Sequence, residues 1–184
     1  MPEGRGKPLN LAYLSLGSNI DPERNLKACV RELERFGRVL AVSSVWESWP
    51  AGAAGSAGLS DFLNAAVLLE TALSPEELRD TAIAGIEETL GRVRTEDRNA
   101  SRTIDIDLLL FNRETLQLGE RRIPSPEILE RPIVAIPLAE IAPDYVHPDT
   151  GRTLSGIARS LDPRSAGMRR RADVVLPGRA EQPS

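Results

Sequence analysis

Four apolar runs of strand length and two amphipathic helical stripes follow one another in the order β-α-β-β-α-β, and few folds accommodate that order. Leu11 to Leu16 is a short apolar run that ends at Gly17-Ser18-Asn19, a strand feeding a turn. Asp21-Pro22 reads as an N-cap followed by proline at the first helical position, and Leu26, Cys29, Val30 and Leu33 then recur at helical spacing. Alternation from Val39 to Trp49 predicts a second strand, and FLNAAVLLE from Phe62 to Glu70 a third. Ser74-Pro75-Glu76-Glu77 has the pattern of a capping box, ahead of an apolar face of Leu78, Ala82, Ile86 and Leu90 and a stop at Gly91. TIDIDLLLF, from Thr103 to Phe111, is the fourth strand.

Two split βαβ units in that order predict an α+β fold: a ferredoxin-like antiparallel sheet with both helices on one face and extra C-terminal segments. Between the second and third strands, AGAAGSAGLS (51–60) has too few large side chains to pack and reads as a mobile loop or lid. From Glu120 onward prolines are frequent, so turns and short wrapping segments are expected, with one more strand around Ile133 to Leu138 and a short helix at Leu154 to Leu161. Residues 1–161 are read as one domain and the Arg-rich stretch 162–184 as a weakly ordered tail unrelated to chemistry.

The chemistry concentrates in one stretch. On a strand, residues two apart share a face at a spacing of about 6.5 to 7 Å, so Asp105 and Asp107 project side by side while Ile104, Ile106 and Leu108 face the other way. Adjacent carboxylates on an apolar strand repel each other, and aspartate is disfavoured in strands. Divalent cations would offset that repulsion, since magnesium prefers carboxylate and phosphate oxygens together. A solvated strand face is the plainer alternative. Arg92, Arg94, Arg98 and Arg102 lie just upstream with Glu96 and Asp97, a local balance of four minus two, or +2, in a chain of 23 basic and 27 acidic residues with net charge -4. The planar guanidinium fork matches two phosphate oxygens, so arginines beside carboxylates suit phosphoryl transfer, where catalysis is chiefly positioning and charge stabilisation.

Other chemistries find little support. There is no GxxxxGK[ST] or kinase-type GxGxxG cradle and no Cys/His metal cluster. The one histidine, His147, falls in the turn YVHPDTG and is expected at the surface. The one cysteine, Cys29, sits on the first helical stripe as a small buried hydrophobe and forbids an intrachain disulfide. The N-terminus shows no apolar signal region and no run reaches the length of a membrane helix, so a cytoplasmic protein without membrane contact is expected. An acidic chain with 4% aromatic residues is a poor RNA-binding sheet. The fold alone would equally serve a non-catalytic ligand-binding module.

Several separated motifs, in order and together covering roughly residues 11 to 161, resemble one family. They are LSLGSN, VSSVWES, DFLNAAVLLET, LGRVR, RNASRTIDIDLL and PLAEIAPDYVHPDTG. The chain is similar to 6-hydroxymethyl-7,8-dihydropterin pyrophosphokinases of folate synthesis. The resemblance implies transfer of pyrophosphate from ATP to the hydroxymethyl group of the pterin, with AMP as second product, two Mg2+ ions, and these small molecules as the partners of a monomer. It assigns Asp105 and Asp107 to the metal, with Asp107 also counted among the catalytic residues, and Arg92 and Arg102 to the transferring phosphates. It places Arg94 and Arg98 in a catalytic loop, and Leu108, Arg122, Ser125 and Arg131 with them on the ATP side. Ser48, Trp49, Phe62, Asn64 and Ile133 would line the pterin pocket. Four positions depart from the family pattern: Ser125 replaces a common histidine, Asn99 an aromatic, Ile133 a phenylalanine and Trp49 a proline.

Overall fold

In the computed structural model, which describes residues 7–49, 61–93 and 101–178, the centre of the sheet is β1 (Asn10–Ser18). It pairs antiparallel with β4 (Phe62–Thr71) on one side and β5 (Asp105–Phe111) on the other. β2 (Arg38–Val42) and β3 (Trp46–Ser48) both pair antiparallel with β4, so the expected strands lie in the order fourth, first, third, second. That is the ferredoxin-like arrangement. The loop 51–60, together with Arg94, Arg98 and Asn99, lies outside the described residues.

Period-two alternation sorts the side chains. Leu14, Leu16, Leu63, Val67, Leu69, Ile106 and Leu108 point to one face and form the main core. α1 (Pro22–Leu33) closes it with the predicted stripe of Leu26, Cys29, Val30 and Leu33, all fully buried. The second helical stretch runs on through α2 (Pro75–Glu77), a wide π-type turn Leu78–Ile83 and α3 (Ala84–Thr89), and it packs on the same face beside α1. Its capping box is formed: Glu77 N–H donates to Ser74 Oγ and Ser74 N–H to Glu77 Oε2. Asp21 differs from expectation. With φ 41° it is left-handed, its side chain caps nothing, and its backbone carbonyl accepts from Asn25 N–H at 2.9 Å.

The run read as a single strand from Val39 to Trp49 is broken at Ser43–Val45. Ser43 turns its Oγ back to accept from Ala66 N–H at 2.8 Å, while Ser44 N–H leaves the sheet for Glu140 Oε2 at 2.8 Å. Alternation alone cannot register such a side-chain substitute for the ladder.

The opposite face carries a second core of Tyr13, Leu109 and Leu110 under α4 (Glu127–Glu130), α5 (Pro132–Ile141) and α6 (Leu154–Arg159). Here the strand expected at Ile133–Leu138 is corrected to helix α5. Pro132 occupies its first turn, Val134 and Ala135 N–H both reach Arg131 O at 3.0 Å, and the segment is buried on nearly all sides. A continuous apolar run has no period to tell helix from strand. α6 forms where predicted.

His147 is corrected from surface to interior, at 1% exposure. The turn folds over it: Asp149 N–H donates to Nδ1 at 3.2 Å, and Gly151 N–H to its carbonyl at 2.9 Å.

Residues 162–178, expected to form part of a weakly ordered tail, instead make a 3-10 turn Pro163–Ala166 and a strand β8 (Arg169–Arg170) on the outer edge of β3. Val174 and Leu176 enter the main core at 1% and 2% exposure. Two buried apolar side chains, together with pairing to β3, hold a segment that is rich in arginine.

Candidate functional site

The strand register brings distant motifs into line. Trp46 lies opposite Asn64, Asn64 opposite Gly17, and Gly17 opposite Asp105, a row crossing β3, β4, β1 and β5. One step along, Ser48 is opposite Phe62, and on the other side Ser15 is opposite Asp107. All these positions share the face turned away from α1 and α3. Phe62 and Asn64 are therefore neighbours on one face, as their spacing predicts, and so are Asp105 and Asp107. Asn64 Nδ2 donates to Ser48 Oγ at 3.0 Å, which joins two of the expected pterin-side residues.

The N-terminal motif holds the entry to β5. Arg102 N–H donates to Asn19 Oδ1 at 2.7 Å, Asn19 N–H donates to Arg102 O at 3.2 Å, and Ser18 Oγ donates to Thr103 O at 2.5 Å. The serine and asparagine of LGSN thus serve as a clasp on the segment that delivers Arg102 and Asp105.

Asp105 is gripped on both oxygens: Arg92 Nη1 donates to Oδ1 and Arg102 Nη1 to Oδ2, each at 2.6 Å. Arg92 is anchored in turn on Glu87, a carboxylate at 4% exposure on α3 that also accepts from Ile106 N–H at 3.1 Å. Arg121 Nη1 donates to Asp107 Oδ1. Burial and the Asp105 charge push the Asp107 carboxyl above its ordinary range, outweighing Arg121. Three guanidinium groups here face three carboxylates. The guanidinium carbon of Arg102 also lies 6.0 Å from the centre of the Phe62 ring.

Other expected residues lie apart from this cluster. The Leu108 side chain is in the core on the helix side of the sheet. Arg122 pairs with Asp149 at 2.9 Å, and Arg131 with Glu127 at 3.0 Å, although the Glu127 charge acts on Asp107. Ser125 is half-buried, its N–H donating to Leu109 O at 2.9 Å. Ile133 is half-buried beside the second core, and Trp49 is half exposed.

Arg121 and Glu87 are the residues sequence reasoning missed. Arg121 belongs to a hairpin of β6 (Leu116–Leu118) and β7 (Arg121–Ile123) around Gly119-Glu120. A two-residue link containing glycine between apolar positions is a hairpin signal, and it sets which of the paired arginines faces Asp107.

Among the described residues no group of three or more His, Cys, Asp or Glu is placed to hold a metal by itself. A pair of strand carboxylates is nonetheless a fitting donor set for magnesium, which keeps several waters and takes one or two carboxylates together with substrate phosphate oxygens.

The profile of 7,8-dihydro-6-hydroxymethylpterin-pyrophosphokinase matches residues 13–143. Proteins named 2-amino-4-hydroxy-6-hydroxymethyldihydropteridine pyrophosphokinase are similar over most of the chain. That of Bacillus subtilis is 44% identical over 135 residues, covering 72% of this chain and 78% of its own. That of Methylorubrum extorquens is 41% identical over 157 residues, covering 83% and 94%. That of Synechocystis sp. is 36% identical over 152 residues, covering 82% and 76%. The solved structure of wild-type Plasmodium falciparum HPPK-DHPS superposes with a TM-score of 0.65 at 14% identity, over 85% of this chain. The chain spans 45% of that longer protein, and this likeness bears on the fold alone.

Proposed function

The chain belongs to the 7,8-dihydro-6-hydroxymethylpterin-pyrophosphokinase family, and from that premise we propose how its residues divide the work. The reaction itself is pyrophosphoryl transfer from ATP to the hydroxymethyl group of hydroxymethyldihydropterin, in folate biosynthesis. In-line attack of the hydroxymethyl oxygen on the β-phosphorus forms the new P–O bond, the bond to the α-phosphate oxygen breaks, and AMP leaves. A non-catalytic binding module is thereby set aside.

Asp105 and Asp107 would hold the two magnesium ions. When bound there, magnesium neutralises phosphate charge and lowers the pKa of the attacking hydroxyl. Arg92 and Arg102, now partnered with Asp105, turn their charge to the phosphates as charge builds on them, with Arg121 beside them at Asp107. Asp107, beside Asp105 on the site face of the sheet, is the side chain assigned to receive the hydroxyl proton. Phe62 supplies a flat apolar surface for the pterin ring, and Asn64 with Ser48 reads its edge. On the ATP side stand Arg94, Arg98, Arg122, Ser125 and Arg131, whereas the Leu108 side chain faces the core on the other side of the sheet; Trp49 and Ile133 complete the pterin side.

The observation that supports this division best is Arg102, which reaches the acidic cluster and the Phe62 face with one side chain. We further propose that the protein works in the cytoplasm as a monomer. One chain carries every residue named, and among the described residues no helix is long and apolar enough to cross a membrane. The test is an incubation with ATP, magnesium and the hydroxymethyl pterin. AMP should appear with the pterin diphosphate and should vanish in Asp105→Asn; unchanged turnover in that variant overturns the residue roles.

A further inference from the structure

β3 is only three residues long, and it carries Ser48 on the site face and Glu47 on the other. Glu47 is 8% exposed. A carboxylate so far out of water needs cationic partners. Both come from the far end of the chain. Arg169 Nε donates to Glu47 Oε2 at 2.9 Å and Arg171 Nη1 to Oε1 at 3.1 Å, across 122 and 124 residues. Arg171 N–H also donates to Val45 O at 2.8 Å, and β8 supplies β3 with its outer neighbour. Next to β3, the ring of Trp49 lies on the backbone of Gly167, which is left-handed at φ 58°. A Cβ at Gly167 would run into Trp49 Cε3.

We propose that Glu47 is a positioning residue for the pterin subsite, and that the C-terminal segment from Asp162 to Gly178 sets that subsite from outside the sheet. The two arginines fix Glu47, Glu47 fixes the register of β3, and β3 fixes Ser48, which accepts from Asn64. The turn at Gly167 separately fixes the plane of Trp49. This segment lies outside residues 13–143, over which the family profile matches. The inference rests on the reading of Ser48, Asn64 and Trp49 as the pterin side.

The test uses the full chain with Glu47→Gln, Arg169→Gln and Gly167→Ala, each compared with Asn64→Ala. The pterin KM is expected to rise about fivefold or more in each, with kcat and the ATP KM held within about twofold. Titration of the tryptophan fluorescence with pterin alone should show the same loss without turnover. Arg169 is exposed on its outer side, so Arg169→Gln gives a readout even where Glu47→Gln fails to fold. A pterin KM that stays put in these variants but rises in Asn64→Ala overturns the positioning role and leaves the subsite reading intact. A flat pterin KM in Asn64→Ala brings down the subsite reading and the inference with it. Parallel loss of kcat and both KM values with a lower Tm makes the segment a general support and also overturns the proposal.

Discussion

The guanidinium carbon of Arg102 lies 6.0 Å from the centre of the Phe62 ring while its Nη1 donates to Asp105 Oδ2 at 2.6 Å. One side chain therefore spans the aromatic floor and the acidic cluster. The two neighbours should separate cleanly in kinetics. Phe62→Ala removes apolar surface and is expected to weaken pterin binding by about tenfold, with a smaller change in the ATP KM. Arg102→Ala removes charge that matters most as phosphate charge builds, so kcat should fall about a hundredfold while pterin binding moves far less. Weakened pterin binding at unaltered kcat in Arg102→Ala would contradict the assignment.

Asp105 and Asp107 should differ in stability although both are needed for turnover. Replacing either by asparagine is expected to cost at least about a hundredfold in kcat/KM, about 2.7 kcal/mol. In the protein free of nucleotide and magnesium, the Asp107 carboxyl is raised above its ordinary 3.8 by burial and by Asp105. A raised carboxyl disfavours the ionised form in the fold. Its cost is absent below 3.8, grows through the window up to the raised value and is fully present at neutral pH. Asp107→Asn should therefore raise the Tm of the ligand-free protein near neutral pH. Asp105→Asn, which removes the carboxylate that both Arg92 and Arg102 hold, should lower it. A drop in both melting temperatures would refute the electrostatic account of Asp107.

Much of this arrangement is legible in the residues, and what is not has identifiable causes. The alternation of Asp105 and Asp107 against Ile106 and Leu108 is a property of any strand, so their shared face follows from spacing alone. The capping box at Ser74 and the stripe ending at Leu33 are equally local. Arg121 and Glu87 are not local in that sense. Arg121 reaches Asp107 only once a hairpin register is set, and Glu87 meets Ile106 N–H only because α3 and β5 pack against each other. α5 was hidden because an apolar segment buried on nearly all sides lacks a polar face to mark its period. The seating of Val174 and Leu176 depends on which hydrophobic gap the C-terminal segment reaches, which composition does not encode.

Glu87 offers a test of that non-local link. Its Oε1 accepts from both Arg92 Nη1 and Ile106 N–H, at a site with 4% exposure. Glu87→Ala leaves a half-buried guanidinium with Asp105 but without Glu87, and a buried N–H without this acceptor, which should cost about 3 kcal/mol in chemical denaturation. Glu87→Gln keeps an oxygen for Ile106 and should recover most of that stability. It does not restore the charge opposite Arg92, so kcat should remain below that of the wild type by about tenfold. Full activity in Glu87→Gln would show that Arg92 is placed without it.

His147 should govern part of the acid side of the stability profile. Burial pushes its pKa below the ordinary 6.5, the Arg122 charge acts in the same direction, and Asp149 opposes them. Nδ1 already accepts from Asp149 N–H, and Nε2 has no hydrogen-bond partner among the described residues. The folded protein therefore resists a proton that the unfolded chain accepts. The sign follows: no stability is lost well above 6.5, and loss sets in as pH falls through 6.5 towards the lowered folded value. His147→Asn removes the titrating ring while its side-chain oxygen remains able to accept from Asp149 N–H. Melting temperatures taken at about pH 7.5 and about pH 5.5 should fall more for the wild type than for the variant, since only the wild type has an imidazole to charge. Equal falls in the two proteins would place the acid sensitivity elsewhere in the chain.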